Sequence, residues 1–346
     1  MSNQVVNDLP KLVVFGAGGL GIEMVKVLTK RPVAQLVGIV DKTGFIFNES
    51  GLNCSDIADE LSAYKKVSAL SGCTEAKDNA ITEFLNAHSK QVNAIFYALP
   101  NIPNSFIPEL TKQIINQSDF NGVIVDALKR TSAVEALTQI TNELQERGIL
   151  YLTGCGATPG ILTSAAALAA QSFVEVEEVC ITFGVGIANW QAYRATVRED
   201  IAHMEGFSVD KVSEMSEEEI DAEIEKRNGL LELVNMEHAD DIMLELAGVC
   251  SRDKVTVGGV VDTRNPKKPL STNVQVTGLT YDGKRSTNTF TLGDETTMAA
   301  NVNGSVLGFL NAGYSLWKGL GVSGLRTAAE VMPAYQAVTK LKPALV

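Results

Sequence analysis

Short apolar runs alternate with stretches of helical period through the first half of the chain. Leu12 to Phe15 is apolar. Ile22, Val25 and Leu28 then recur at helical spacing, and Leu36 to Val40 forms a second run that ends at Asp41. Asp78 to Lys90 reads as a helix with Ile81, Phe84 and Leu85 on one face. Val92 to Leu99 reads as a strand stopped by Pro100, Pro108 to Asn116 as a helix and Gly122 to Asp126 as a strand. Ser132 to Arg147 then reads as a helix and Leu150 to Thr153 as a strand. Strands that alternate with helices across residues 11–153 predict a parallel sheet with crossover helices. Residues 43–60 read as a loop entering a helix, and 61–71 as irregular chain or a short helix and strand.

The pattern changes after Val174. Val176 to Phe183 reads as a strand, and Val185 to Ala247 as a helix-rich acidic segment. Within that segment Ser216 caps a first turn of Glu217, Glu218 and Glu219. Lys254 to Val261, Leu270 to Leu279 and Arg285 to Leu292 follow as strands without crossover helices, with an Asp-Gly hairpin signal in Tyr281 to Lys284. Thr296 to Leu310 is a long apolar helix, and Gly321 to Pro333 is punctuated chain around a short helix. The fold class is therefore α/β. A Rossmann-type doubly wound parallel sheet is expected in residues 1–160. A second α+β domain with a mostly antiparallel sheet is expected in residues 161–346, its C-terminal helices candidates to pack back on the first domain.

The turn after the first strand carries chemistry. Gly16-Ala17-Gly18-Gly19-Leu20-Gly21 is G-x-G-x-x-G. The first glycine permits the tight turn, the second lets a pyrophosphate approach, and the third lets helix and strand pack closely. The helix N-terminus offers free N–H groups to phosphate. Asp41 lies where an acid meets the ribose 2′-OH, roughly 20 residues on, which favours NAD. Lys42 beside it would suit the 2′-phosphate of NADP. Ligands of such sheets gather at the carboxyl ends of the strands. Ala98, Leu99 and Pro100, Asp126 to Arg130, and the second Gly-rich turn Gly154 to Gly160 should therefore share one crevice with the first turn. Gly154, Cys155, Pro159 and Gly160 are expected on the cofactor wall, with Thr163 and Ser164 capping the next helix.

Lys129 and Asp126 are the catalytic candidates. The lysine can hold a substrate carboxylate or exchange a proton if burial lowers its pKa. Cys155 has no visible base and reads as a packing residue beside the cofactor. Tyr193, Arg194, Arg198 and His203 form a candidate substrate face. The two arginines are four apart on a predicted helix and able to grip a carboxylate together. Their alternative is an exposed helix paired with Glu199 and Asp200. His88 and His238 read as surface helix residues.

VFGAGGLG after the first strand, and FYALP, VDALKR and TGCGATPGI at later strand ends, resemble the saccharopine dehydrogenase-like family. The tail GVSGLRTAAEVMP resembles the closing segment of that family. The resemblance is best over residues 11–165. It implies a nicotinamide-dependent oxidoreductase that moves hydride to or from a C–N centre of a small amino-acid or polyamine-type substrate. Two other readings stand beside it: an NAD(H)-binding sensor or partner-binding protein without turnover, and an enzyme of the homoserine dehydrogenase type.

Composition narrows the partners. The chain has 346 residues, and its formal net charge of −12 argues against nucleic acid and anionic membranes as general partners. It holds no apolar run of membrane-spanning length, and MSNQVVNDLP is no signal peptide. Five cysteines without C-x-x-C spacing suit reduced thiols in a cytoplasm. His88, His203 and His238 form no H-x-x-x-H pair, so no metal is expected. A homodimer acting on a small molecule is the expected assembly.

Overall fold

The computed structural model describes residues 9–100, 103–194, 196–234, 236–293 and 298–338. The chain divides into two compact units, Met1–Ser164 with Thr297–Val346, and Ala165–Thr296.

The first unit begins with β1 (Lys11–Phe15), α1 (Gly19–Lys30), β2 (Gln35–Asp41), β3 (Gly44–Phe47), α2 (Cys54–Tyr64), β4 (Thr74–Glu75) and α3 (Ala80–His88). It continues with β5 (Ala94–Tyr97), α4 (Phe106–Gln117), β6 (Val123–Asp126), α5 (Thr131–Thr138), α6 (Thr141–Glu146), β7 (Leu150–Thr153) and the start of α7 (Ile161–Ala169). The second unit holds β8 (Phe173–Gly186), α8 (Trp190–Tyr193), α9 (Val197–Ala202), α10 (Val209–Ser213), α11 (Glu217–Lys226), β9 (Leu230–Leu233), α12 (Asp240–Leu246), β10 (Val255–Asp262), β11 (Asn273–Thr280) and β12 (Arg285–Thr291). α13 (Met298–Leu320) and β13 (Gly324–Thr327) complete the first unit.

Eight strands form the first sheet in the order β13-β7-β6-β5-β1-β2-β3-β4. The six from β13 to β2 are parallel, while β3 and β4 join antiparallel. The chain winds outward from β1 through β2, returns to β5 on the other side of β1, and winds outward again. Strand order therefore reverses between β1 and β5, the crevice where ligands of open α/β sheets bind.

The strand sequences are continuously apolar because both faces of the sheet are covered. Val13, Ile95, Ile124 and Tyr151 share one core with Phe84 of α3 and Ile114 of α4. Residues one position along point to the other face. There a Cβ at Gly21 of α1 would stand 3.6 Å from Val14, and one at Gly313 of α13 would stand 2.7 Å from Leu152 and 3.1 Å from Val123. Glycine at 313 thus lets α13 lie close on the sheet.

The helix expected over Ser132 to Arg147 is two, α5 and α6, and other expectations for the first unit are corrected as well. Gly44–Phe47 is a strand, not the loop read for residues 43–60. α13 runs on to Leu320, ten residues beyond Leu310. Gly324–Thr327 is a parallel edge strand beside β7, where a short helix was expected. Ser164 Oγ fastens the segment after β13 by donating to Ala328 O at 2.6 Å.

The second unit is a five-stranded sheet, β12-β11-β8-β10-β9, antiparallel except for the parallel pair β8 and β10. Its helices bury Val197, Ile201, Ile220 and Ile224 against Leu231 and Val261. Glu219 and Ser216 form a reciprocal capping box at the start of α11. His238 is not a surface residue: it is buried, with Nδ1 2.6 Å from the buried Asp240 carboxylate. His88, in the first unit, is half-buried and stacks on Phe47 with ring centroids 4.0 Å apart. Among the described residues no helix is long and apolar enough to cross a membrane.

Candidate functional site

The glycines of the first turn divide into two kinds. A Cβ at Gly16 would stand 2.2 Å from Ala98 O, and one at Gly21 would stand 1.9 Å from Gly16 O. These two positions need glycine so that β1, β5 and α1 can touch, and Gly16 adopts φ +110°. Gly18 and Gly19 are exposed, and a Cβ on either would meet nothing within 4 Å. Open space thus lies over the start of α1, where unpaired helix N–H groups favour an anion. Gly16 N donates to Val40 O at 2.7 Å, and Ala98 N to Phe15 O at 2.8 Å, so the ends of β1, β2 and β5 are drawn together. Ala17 is buried, Leu20 and Leu99 are half-buried, and Pro100 is exposed.

Asp41 ends β2, but its carboxylate is engaged. Oδ1 accepts from Thr43 N at 2.7 Å and Thr43 Oγ1 at 2.6 Å, and Oδ2 accepts from Val67 N at 2.9 Å. The acid therefore pins the turn into β3 to the 3₁₀ turn Val67–Ala69. Lys42 beside it is exposed.

Asp126 ends β6 and is 1% exposed. Its Oδ1 accepts from Gly154 N at 2.7 Å, Leu128 N at 3.0 Å and Thr153 Oγ1 at 3.1 Å, and its Oδ2 accepts from Tyr151 OH at 2.7 Å. Burial pushes its carboxyl above the usual range, against the pull of these four donors. Asp126, expected as a catalytic residue, is thus engaged by four internal donors and clasps β6 to β7. Lys129, three residues on in the β6–α5 loop, is half-buried and makes no hydrogen bond or ion pair among the described residues.

The second Gly-rich turn folds on itself. Gly154 and Gly160 have φ of +71° and +140°, and Thr158–Pro159 is cis. Gly160 N donates to Thr163 Oγ1 at 2.8 Å, whereas Ser164 is turned away to Ala328. Gly154, Cys155, Pro159 and Gly160 are all buried. Cys155 has no exposed surface, its thiol lies 3.4 Å from Leu152 O, and burial pushes its pKa well up. It packs the turn and presents nothing to a cofactor. Sequence reasoning missed what holds the turn: Ser305 Oγ of α13 donates to Gly156 O at 2.6 Å. A Cβ at Gly156 would stand 3.6 Å from Ala127 and 3.7 Å from Val302. The only sequence signal was the small-residue character of α13.

The expected substrate face lies in the second unit and is bound up internally. Arg194 and Arg198 do not share a helix: Arg194 follows α8, and Arg198 sits in α9. Both reach Glu217, at 2.8 and 2.6 Å. Arg194 also reaches Asp221 at 3.1 Å, and Arg198 donates to Val212 O and Met215 O. Tyr193 OH donates to Asp200 at 2.5 Å, and His203 Nδ1 lies 2.8 Å from Glu199 O. The pairings anticipated with Glu199 and Asp200 thus fall to His203 and Tyr193, while the arginines take carboxylates of α11. Among the described residues no cluster of three His, Cys, Asp or Glu side chains could hold a metal.

The wound sheet with its glycine turn and the second sheet are those of the fold seen in NAD(P)-dependent dehydrogenases. An engineered D-amino acid dehydrogenase bound to NADP+ superimposes with a TM-score of 0.52 over 94% of each chain, at 16% identity. Saccharopine dehydrogenase (L-Glu forming) from Saccharomyces cerevisiae gives 0.55 over 92% of this chain and 94% of that one, at 11% identity. At such identities the likeness is one of fold. No protein-family profile matches the chain. In sequence, (S)-8-amino-7-oxononanoate synthase BioU of Haloferax mediterranei is 41% identical over 93% of this chain and 98% of its own. The chain belongs to the BioU family, a family of enzymes. Both the expected saccharopine dehydrogenase-like membership and the expected oxidoreductase activity on amino-acid or polyamine substrates are overturned by that relationship. Among the motifs behind them, the G-x-G-x-x-G turn belongs to dinucleotide-binding folds in general and does not mark a family.

Proposed function

We propose that this chain forms (S)-8-amino-7-oxononanoate, the product named for its 41% identical relative, with Lys129 as the reactive amine and a nicotinamide dinucleotide held at Gly16–Gly21. The observation that carries the site assignment is the contrast within one loop. Asp126 is saturated by four donors, while Lys129 keeps a free amine at the carboxyl edge of the sheet. An oxo acid offers a carbonyl carbon, and an uncharged lysine amine adds to such a carbon with loss of water to give an imine. Half-burial limits water around that amine.

The open space over Gly18 and Gly19 fits a pyrophosphate, with the α1 N–H groups as its donors. Gly16, Ala17, Leu20 and Gly21 shape the turn, and Ala98, Leu99 and Pro100 border it. Bound there, a nicotinamide dinucleotide brings hydride chemistry to the carboxyl edge of the sheet.

The test is growth of a bacterial strain unable to make 8-amino-7-oxononanoate. The wild-type gene should restore growth without added 8-amino-7-oxononanoate, and Lys129→Ala should not. Failure of the wild-type protein, expressed in soluble form, would overturn the proposal. Rescue by Lys129→Ala would remove the lysine from it.

A further inference from the structure

The carboxyl end of β2 is where the ribose of a dinucleotide lies in folds of this type. An acid there discriminates for NAD by holding the 2′-hydroxyl and repelling a 2′-phosphate. Asp41 occupies the position, but three internal donors already draw on its carboxylate: Thr43 N, Thr43 Oγ1 and Val67 N. Those bonds fix where two lysines sit. Lys42 lies between Asp41 and Thr43, and Lys66 directly precedes Val67. Lys65, in the left-handed conformation at the end of α2, precedes Lys66.

All three lysines are exposed, and none of their side chains makes a hydrogen bond or ion pair among the described residues. Of the acids in this region, Glu60 is engaged by Ser71 N, and Glu75 is exposed on β4, whose backbone pairs with Gly44. Ser68 N donates to Thr43 Oγ1 at 3.0 Å, so the Ser68 side chain also stands at this corner.

We infer that the ribose corner formed by Lys42, Thr43, Lys66 and Ser68 selects a 2′-phosphorylated dinucleotide, NADP(H), over NAD(H). The inference rests on the dinucleotide reading above and reverses the preference that Asp41 suggests in the sequence. A 2′-phosphate carries close to two negative charges at neutral pH. Two or three unpaired ammonium groups would meet it, while Asp41 is held in its own turn. Exposed charges of this kind are screened by salt, so the preference should shrink as ionic strength rises.

Titration of the purified full chain with NADPH and NADH, followed by nicotinamide fluorescence, tests this. 2′,5′-ADP and 5′-ADP, competed against NADPH, serve as fragment probes. NADPH should bind about tenfold or more tightly than NADH at low salt, and 2′,5′-ADP should outcompete 5′-ADP by a similar factor. The double variant Lys42→Ser with Lys66→Ser should bring both ratios close to one while leaving NADH affinity unchanged, a control that the protein is folded. Equal or tighter binding of NADH by the wild type would overturn the inference and leave the dinucleotide reading standing. A preference that survives loss of both lysines would also overturn it. Binding of neither dinucleotide would sink the dinucleotide reading and this inference together.

Discussion

Tyr151 donates its phenolic proton to Asp126 at 2.7 Å inside the first unit, joining the middle of β7 to the end of β6. Both groups are buried, and burial, with the Asp126 charge behind it, pushes the tyrosine well above its ordinary range, while the tyrosine's hydrogen bond favours the ionised Asp126. Removing the carboxylate leaves Gly154 N, Leu128 N and two hydroxyls without their acceptor. Asp126→Ala should therefore lose on the order of 3 kcal/mol in urea unfolding, since each orphaned buried donor costs about 1–3 kcal/mol and the hydroxyls can re-pair. A loss within experimental error would show that the clasp is not structural.

The same carboxyl gives a pH signature with a definite sign. Its pKa is raised in the folded chain by burial. Its contribution is therefore fully present below the unfolded carboxyl value, near about 4, and is lost as pH rises through the folded value. The difference in unfolding free energy between wild type and Asp126→Asn should therefore fall as pH rises above about 4. A difference that grows with pH would mean that the four donors, not desolvation, set the balance.

The two kinds of glycine in the first turn should separate by substitution. Gly21→Ala forces a methyl to within 1.9 Å of Gly16 O and should unfold or strongly destabilise the first unit. Gly18→Ala meets no protein atom and should melt like wild type, yet weaken dinucleotide binding by an order of magnitude or so, because the methyl enters the space meant for pyrophosphate. Equal binding by Gly18→Ala would place the phosphates elsewhere.

Arg198 is predicted to be a structural residue of the second unit. Its guanidinium joins α9 to the chain around Val212 and Met215 and to Glu217. Arg198→Ala should lower stability by about 1 kcal/mol and leave the substrate KM unchanged. Glu217, held below the usual carboxylate range by Arg198 and then Arg194, contributes stability that is present near neutral pH and lost as pH falls through its folded pKa. A raised KM with unchanged stability would return the arginines to the substrate.

The strands β1, β2, β5, β6 and β7 were legible because burial on both faces makes them continuously apolar. β13 was not: GLRT is short, carries glycine and arginine, and becomes a strand only because β7 offers an open edge. β3 was hidden because Gly44 follows the Asp41 turn and suggested a loop. The glycine turn was legible as a turn, but its sequence recurs throughout the fold and so pointed to the wrong family. The role of Asp126 depended on Tyr151 and Thr153, 25 and 27 residues away, and no local pattern announces such partners. The arginines were paired in sequence with their nearest acids, whereas helix packing brought Glu217 and Asp221 to Arg194.

The most direct test of the account is to trap the amine on its carbonyl. The purified protein would be mixed with (S)-8-amino-7-oxononanoate, treated with borohydride to reduce any imine to a stable secondary amine, and digested for mass spectrometry. The account predicts one adduct, on Lys129, absent from Lys129→Ala and retained by Arg198→Ala. No adduct, or an adduct on another lysine, would contradict it.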